Sequence, residues 1–273
     1  MMPNNAAEPI IRVRGLVNRF GAETVHDGVD LDVLRGEIIG VVGGSGSGKS
    51  VLLRTIVGLN RPVEGKVEVF GRDVLRMTER QRRQLENRWG VLFQDGALFS
   101  SLTVAQNIEV PIKEYYDMPL RLMDEISAVK VSLVGLPGDA GEKYPAQLSG
   151  GMRKRAGLAR ALALDPEIVF LDEPTSGLDP IAAGAFDELI RDLKVSLGLT
   201  VFLVTHDLDS LFATCDRVAV LVDKKVRVGT LDQLLKDNHP WIQSYFHGPR
   251  GRAAQHSEAG VFAKRKTRGA AAI

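Results

Sequence analysis

The stretch IIGVVGGSGSGKSVLLRTI, Ile38 to Ile56, decides the fold. Its first part, Ile38 to Val42, has the length and apolar character of a buried strand. The strand runs into Gly43, Gly44, Ser45, Gly46, Ser47, Gly48, Lys49 and Ser50, and a helical pattern opens at Lys49 and continues to Gly58. The pattern G-x-x-x-x-G-K-[ST] between a strand and a helix is a phosphate-binding loop. Glycines let successive backbone N–H groups turn inward around an anion, and the helix N-terminus adds partial positive charge. Lys49 is placed to reach β- and γ-phosphates, and the Ser50 hydroxyl to coordinate Mg²⁺. A flexible Gly/Ser turn would explain neither the preceding strand nor the Lys-Ser pair at the helix start.

Working outward, further β-branched runs lie at Ile10 to Val13, Val29 to Val33, Val67 to Phe70, Val91 to Phe93, Ile168 to Leu171, Val201 to Val204 and Val218 to Val222. Helical stretches at Met152 to Leu164, Ile181 to Leu197 and Leu208 to Ala213 alternate with several of them, which predicts an α/β core with parallel strands. The early strands follow one another without helices, which predicts a small antiparallel sheet laid against that core. From about 98 to 149 there is no comparable strand signal, and Pro111, Pro119, Pro137 and Pro145 divide the segment into short helices and turns. It reads as a helical insertion. The run IVFLDE, Ile168 to Glu173, delivers two carboxylates at a strand's C-terminal end, where ligands of open α/β sheets bind. Asp172 is placed to hold Mg²⁺ through its water shell and Glu173 to polarise an attacking water.

The 273 residues suit one large domain with a modest appendage, and 44% hydrophobic content is enough for a sizeable core. Lys and Arg number 35 against 34 Asp and Glu, a net of +1, so electrostatic targeting must be local. The single cysteine, Cys215, excludes a disulfide framework within one chain and reads as a buried, inert thiol in a reducing compartment. No apolar run reaches the roughly 18 residues that a membrane span needs. The N-terminus lacks both the basic start and the apolar stretch of a signal peptide, so residues 1–8 read as a short leader of a cytoplasmic protein. Residues 241–273 form a C-terminal extension: an apolar cluster of Trp241, Ile242, Tyr245 and Phe246, then a tail carrying Arg250, Arg252, Lys264, Arg265, Lys266 and Arg268 against Glu258.

LSGGM, Leu148 to Met152, opens another helix, with Ser149 at its cap and Gly150 and Gly151 baring the backbone, a second anion-binding terminus. One chain has no obvious need of two. With this element shortly before the acids, residues 9–240 resemble the ATP-binding cassette (ABC) family. The resemblance implies a P-loop NTPase (RecA-like) core with an antiparallel β subdomain and a helical ABC subdomain. It also implies a head-to-tail homodimer that holds two ATP molecules with Mg²⁺, each γ-phosphate covered by the partner's signature helix. On that resemblance, Gly43 to Val51, including Val51 itself, would bind nucleotide, as would Ser149, Gly150 and Gly151 from the other protomer. Phe20 would stack on adenine. Gln94 would be the Q-loop glutamine that meets metal or water, Asp179 in SGLD would belong to the loop crossing the interface, and His206 would be the switch histidine at the γ-phosphate. Lys49, Glu173, Gln94 and His206 would carry catalysis, and Ser50, Gln94 and Asp172 the metal. Met152 and Phe20 stand where the family commonly has Gln and frequently Tyr; neither change removes a phosphate ligand.

LFQDGALFSSLTVAQNIEVPI at Leu92 to Ile112, the methionine-ended signature and HPWIQSYFHGPRGRA from His239 look like the Mla/Mce group of lipid transporters. That implies an ATPase peripheral on the cytoplasmic face of an inner membrane. Its partners would be an integral permease, an MCE-domain periplasmic protein and a STAS-type small subunit, with phospholipid or another hydrophobic substrate and no nucleic acid. Leu98, Phe99 and Leu102 either meet the permease or pack inside the helical subdomain. The apolar cluster from Trp241 either docks on the neighbouring protomer or packs as a short helix on its own core. The basic tail either meets anionic headgroups or is solvated. Competing classes are an ATPase for a small polar solute importer and a soluble P-loop ATPase. Kinases and GTPases have no need of LSGGM, and no NKxD motif is present. A chromosome-maintenance ATPase would need a long coiled coil between Gly43 and Asp172. A non-hydrolysing binding module is disfavoured because Lys49, Asp172, Glu173 and His206 are all present.

Overall fold

The computed structural model describes residues 8–248, so most of the leader and the basic residues Arg250 to Arg268 lie outside the described residues. The chain begins with β1 (Pro9–Phe20), β2 (Glu23–Leu34), β3 (Ile38–Gly43), α1 (Lys49–Ile56), β4 (Glu64–Val69) and β5 (Arg72–Asp73). It continues with α2 (Glu79–Glu86), β6 (Trp89–Leu92), α3 (Val104–Tyr115), α4 (Leu120–Leu133), α5 (Gly150–Ala161), β7 (Ile168–Asp172) and α6 (Pro180–Leu197). The last part holds β8 (Thr200–Val204), α7 (Leu208–Thr214), β9 (Arg217–Val222), β10 (Lys225–Gly229), α8 (Leu231–Leu234) and α9 (Pro240–His247).

Two sheets form. One, in the order β2-β1-β4-β5, is antiparallel. The other runs β10-β9-β3-β8-β7-β6, with β9, β3, β8, β7 and β6 parallel and β10 antiparallel at its edge. Among the early strands, β3 therefore leaves the antiparallel sheet and sits in the centre of the parallel one. All its residues are buried, as expected for a strand covered on both faces. Strands β1 and β2 are longer than the apolar runs suggested, because Gly15 and Gly28, with φ of 56° and 74°, sit at irregularities inside the ladder rather than at its ends.

The segment between β6 and α5 is helical, with Val104, Ile108, Ile112, Met123 and Val131 buried in one cluster with the underside of the parallel sheet. α3 begins with a reciprocal cap: Thr103 Oγ1 accepts from the Gln106 N–H and Gln106 Oε1 accepts from the Thr103 N–H. Pro111 does not end this helix; α3 runs through it to Tyr115, with the loss of a single backbone bond. α5 starts two residues earlier than its apolar pattern and ends at Ala161. The apolar cluster after His239 packs on its own core: Ile242 and Phe246 are fully buried, Phe246 meets Phe212 edge to face, and Trp241 stacks on Tyr245 at 4.8 Å. The docking of this cluster on a neighbouring protomer is thereby replaced by burial in its own chain for Ile242 and Phe246.

Candidate functional site

β3 ends at Gly43 and α1 starts at Lys49, so the phosphate loop leaves the centre of the parallel sheet at its C-terminal edge. Gly48 has φ 99°, and a Cβ there would collide with Val25 and His26; only glycine fits. Ser45 and Gly46 are exposed, while Gly44, Ser47, Gly48, Lys49, Ser50 and Val51 are half-buried. Lys49 Nζ donates to the carbonyls of Gly43 at 2.9 Å and Gly44 at 3.1 Å. Burial lowers the Lys49 pKa, and the charges of Glu173 and Asp172 pull the other way.

β7 aligns the acids with this loop. Ser50 Oγ donates to Asp172 Oδ1 at 3.1 Å. Asp172 is 4% exposed, and burial raises its pKa against the bond from Ser50. Ser50 and Asp172 offer two hard oxygen donors at one point, which fits Mg²⁺, a cation that keeps most of its waters and takes phosphate oxygens. Glu173 turns out of the strand with φ 51°, a conformation costing a non-glycine residue about 1–2 kcal/mol. Its N–H donates to Val204 O at 2.9 Å, and its C=O accepts from the Ser176 N–H at 3.2 Å and from Lys154 Nζ at 3.1 Å. Its carboxylate meets His206 Nδ1 at 2.6 Å.

The structure therefore brings Lys49, Ser50, Asp172, Glu173 and His206 together. Others stand apart. Gln94 is exposed just past the end of β6, and its side chain makes no hydrogen bond with a described residue. Phe20, at the end of β1, is 52% exposed. Ser149 caps α5 by accepting from the Met152 N–H at 3.2 Å, and no hydrogen bond joins Ser149, Gly150 or Gly151 to the phosphate loop of the same chain. Asp179 Oδ1 accepts from the N–H groups of Ile181 and Ala182, so this oxygen caps α6 in its own chain. Leu178 packs within 3.8 Å of a Cβ built on Gly150, which puts the SGLD turn beside the signature turn. Cys215 is not at the site, and burial pushes its thiol up to about 12.

Three features escape sequence reading. His26 is fully buried beneath Gly48; its Nδ1 bonds Asn18 Oδ1 at 3.0 Å, and Asn18 Nδ2 donates to Thr55 Oγ1 of α1 at 3.2 Å. Burial lowers the His26 pKa to about 4. Lys154 is 4% exposed under Glu173. Tyr245 donates its hydroxyl to the backbone carbonyl of His206 at 3.2 Å, while the Trp241 indole lies beside Gly44. The sequence signals are weak ones: a cation where a helix opens and an aromatic pair near the chain's end, with none for His26.

Residues 26–176 match the family model described as ABC transporter. A probable ribonucleotide transport ATP-binding protein, mkl, of Mycobacterium leprae is 39% identical over 88% of this chain and 69% of its own. The intermembrane phospholipid transport system ATP-binding protein MlaF of Haemophilus influenzae is 37% identical over 88% of this chain and 90% of its own. A methionine import ATP-binding protein, MetN, of Brucella abortus is 41% identical over 80% of this chain and 59% of its own. Among solved structures, the dimeric ATP-binding cassette MJ0796 in a post-hydrolysis state with ADP and Pi superposes with a TM-score of 0.74, at 29% identity over 81% of this chain and 98% of that one.

Proposed function

The chain belongs to the ABC transporter family of ATPases, and from that premise we propose that it drives an inner-membrane transporter for phospholipid or a similarly hydrophobic substrate. The observation that carries the reading is the separation of the two anion-binding helix termini. Lys49 opens α1 beside Asp172 and Glu173, whereas Ser149 opens α5 with no hydrogen bond to that loop. Two copies in head-to-tail arrangement use both, each ATP lying between the Gly43–Val51 loop of one and Ser149, Gly150 and Gly151 of the other.

Lys49 then exchanges its carbonyl acceptors for β- and γ-phosphate oxygens. Ser50, Asp172 and Gln94 would hold Mg²⁺, which would neutralise phosphate charge. A carboxylate oxygen only accepts, so His206 Nδ1 carries the hydrogen shared with Glu173, leaving the far side of the imidazole for the γ-phosphate. Glu173, held by its backbone, orients the attacking water. Phe20, exposed at the end of β1, is free to stack on adenine.

Among the described residues no helix is long and apolar enough to cross a membrane. The transporter reading therefore assigns transport to a separate permease, with the chain on the cytoplasmic face. A groove of about 390 Å³ between β6 and α3, lined by Trp89, Phe99, Pro111, Tyr115 and Arg160, suits an apolar permease helix. Phe99 is half exposed there, whereas Leu98 and Leu102 are more buried, so of the three Phe99 is the surface contact. An MCE-domain protein, and a STAS-type subunit with it, would complete the assembly. The lipid reading draws on the match along 90% of MlaF, and a polar-solute importer is the second reading because MetN is 41% identical. Mild-detergent pull-down from native membranes decides between them. Recovery of a permease with an MCE-domain protein and bound phospholipid supports lipid transport; a solute permease with a periplasmic binding protein supports the importer.

A further inference from the structure

Lys154 is an expensive residue to place where it is. A buried ammonium loses several kcal/mol of hydration unless acceptors surround it, and a cation near a helix N-terminus opposes the helix dipole. Yet Lys154 is 4% exposed on α5, about one and a half turns from the Ser149 cap. Its Nζ donates to the carbonyl of Glu173 at 3.1 Å. Glu173 in turn is the one non-glycine residue of the site held in a left-handed conformation, φ 51°, and its carbonyl also accepts from Ser176, in the turn beside the signature glycines.

The hydrogen bonds around Glu173 thus come from three directions. β8 holds its N–H through Val204, the SGLD turn and α5 hold its C=O, and His206 holds its carboxylate. The bond from Lys154 thus ties α5 to the backbone from which the Glu173 carboxylate extends.

We propose that Lys154 is a positioning residue for hydrolysis, which fixes the backbone of Glu173 and makes the base in a chain's own site respond to the nucleotide that the same chain's Ser149 turn covers in its partner. This rests on the head-to-tail reading above. The link is intramolecular, so each chain carries information from the ATP it covers to the ATP it cleaves. A rigid path is available because α5 is packed along Ala156, Gly157, Leu158 and Ala159, all buried.

The test uses the full-length chain and compares the wild type with Lys154→Met and Lys154→Arg. Phosphate release is measured across ATP concentration, binding of a slowly hydrolysed ATP analogue by fluorescence, and folding by thermal melt. The expected result is a fall in kcat of about tenfold for Lys154→Met, the scale of one lost charge-assisted hydrogen bond. Analogue affinity stays within about twofold, and the sigmoidal dependence on ATP flattens towards a Hill coefficient of about 1. Lys154→Arg restores rate and sigmoidicity. In a Glu173→Gln background the Met change has no further effect on residual turnover, because the group it positions is gone. Equal kcat and equal sigmoidicity in Lys154→Met overturn the proposal, as does an equal loss in the Glu173→Gln background. Where the Met variant does not fold, Lys154→Gln, which keeps a neutral donor, is judged by the same readouts. Failure of the wild type itself to hydrolyse ATP or to pair on binding it would instead remove the head-to-tail reading beneath.

Discussion

His206 Nδ1 lies 2.6 Å from Glu173 Oε2, a contact that joins the segments just past the ends of β7 and β8. The pairing is possible because the two strands are adjacent and in register, Asp172 opposite Val204.

Exchange of Glu173 for Gln removes the acceptor of a water proton but leaves Lys49, Ser50 and Asp172 in place. Turnover is expected to fall by at least about 100-fold, within the usual contribution of a general base. ATP then holds two chains together, read as a doubled mass by light scattering. Rapid turnover by this variant would falsify the assignment of Glu173 as the base.

Lys49→Ala takes away the ammonium that bonds Gly43 and Gly44 and is placed for the phosphates. Affinity for ATP is expected to drop at least about tenfold, as one charge-assisted contact implies. Equilibrium binding of a fluorescent ATP analogue measures it, and unchanged affinity would move the lysine's role to the chemical step alone.

His26 predicts a dependence of stability on acid. Its folded pKa, about 4, lies below the ordinary 6.5, so between those values the unfolded chain binds a proton that the folded chain does not. The stability is therefore fully present above pH 6.5 and lost progressively as pH falls to 4, by about 3 kcal/mol. Asp187, raised by burial to about 6, acts in the opposite sense, since its folded form takes up the proton first. Comparison of wild type with His26→Leu by urea unfolding cancels the Asp187 contribution. The gap between the two should move in the variant's favour by about 3 kcal/mol from pH 6.5 to pH 4, and a constant gap would contradict the buried neutral imidazole.

Gly157→Ala sets helix propensity against packing. Alanine favours an exposed helix interior by about 1 kcal/mol. At this position, however, a Cβ would lie 2.6 Å from Leu92 Cδ1 and 3.0 Å from the Gly96 backbone. Overpacking costs about 1–3 kcal/mol, so the sum is destabilising. A melting temperature at or above the wild type's would mean that α5 moves away from β6 freely.

The phosphate loop was legible in the sequence because backbone geometry dictates residue type there: Gly48 cannot be anything else at φ 99° against Val25 and His26. Asp172 and Glu173 were legible because an apolar strand ends on them. His26 was not, because the extra residue at Gly28 in β2 reverses the inward parity set by Val29, Leu31 and Val33. α2 shows almost no apolar periodicity because ERQRRQLE buries only Leu85; its signal is the Thr78 and Gln81 capping pair. Lys154 carries no distinguishing signal within MRKR, and an acceptor it meets in the interior is a backbone carbonyl, which has no letter. Asp179 is expected in the loop that crosses the interface; that its Oδ1 also caps α6 is signalled by the proline after it, since an aspartate before such a helix start is a cap.

The placement of β3 also makes the support of the phosphate loop depend on the far end of the cassette. It is among the earliest strands to be synthesised, but its two neighbours are β8 and β9, pairing Ile38 with Val201 and Ile39 with Arg217. A chain still on the ribosome therefore carries a phosphate loop whose supporting strand has no hydrogen-bonding partner on either side until nearly all of the cassette has emerged. Such distant pairing is slow and late. A truncation before Thr200 removes both strands that β3 pairs with and leaves the loop without the ladder that supports it.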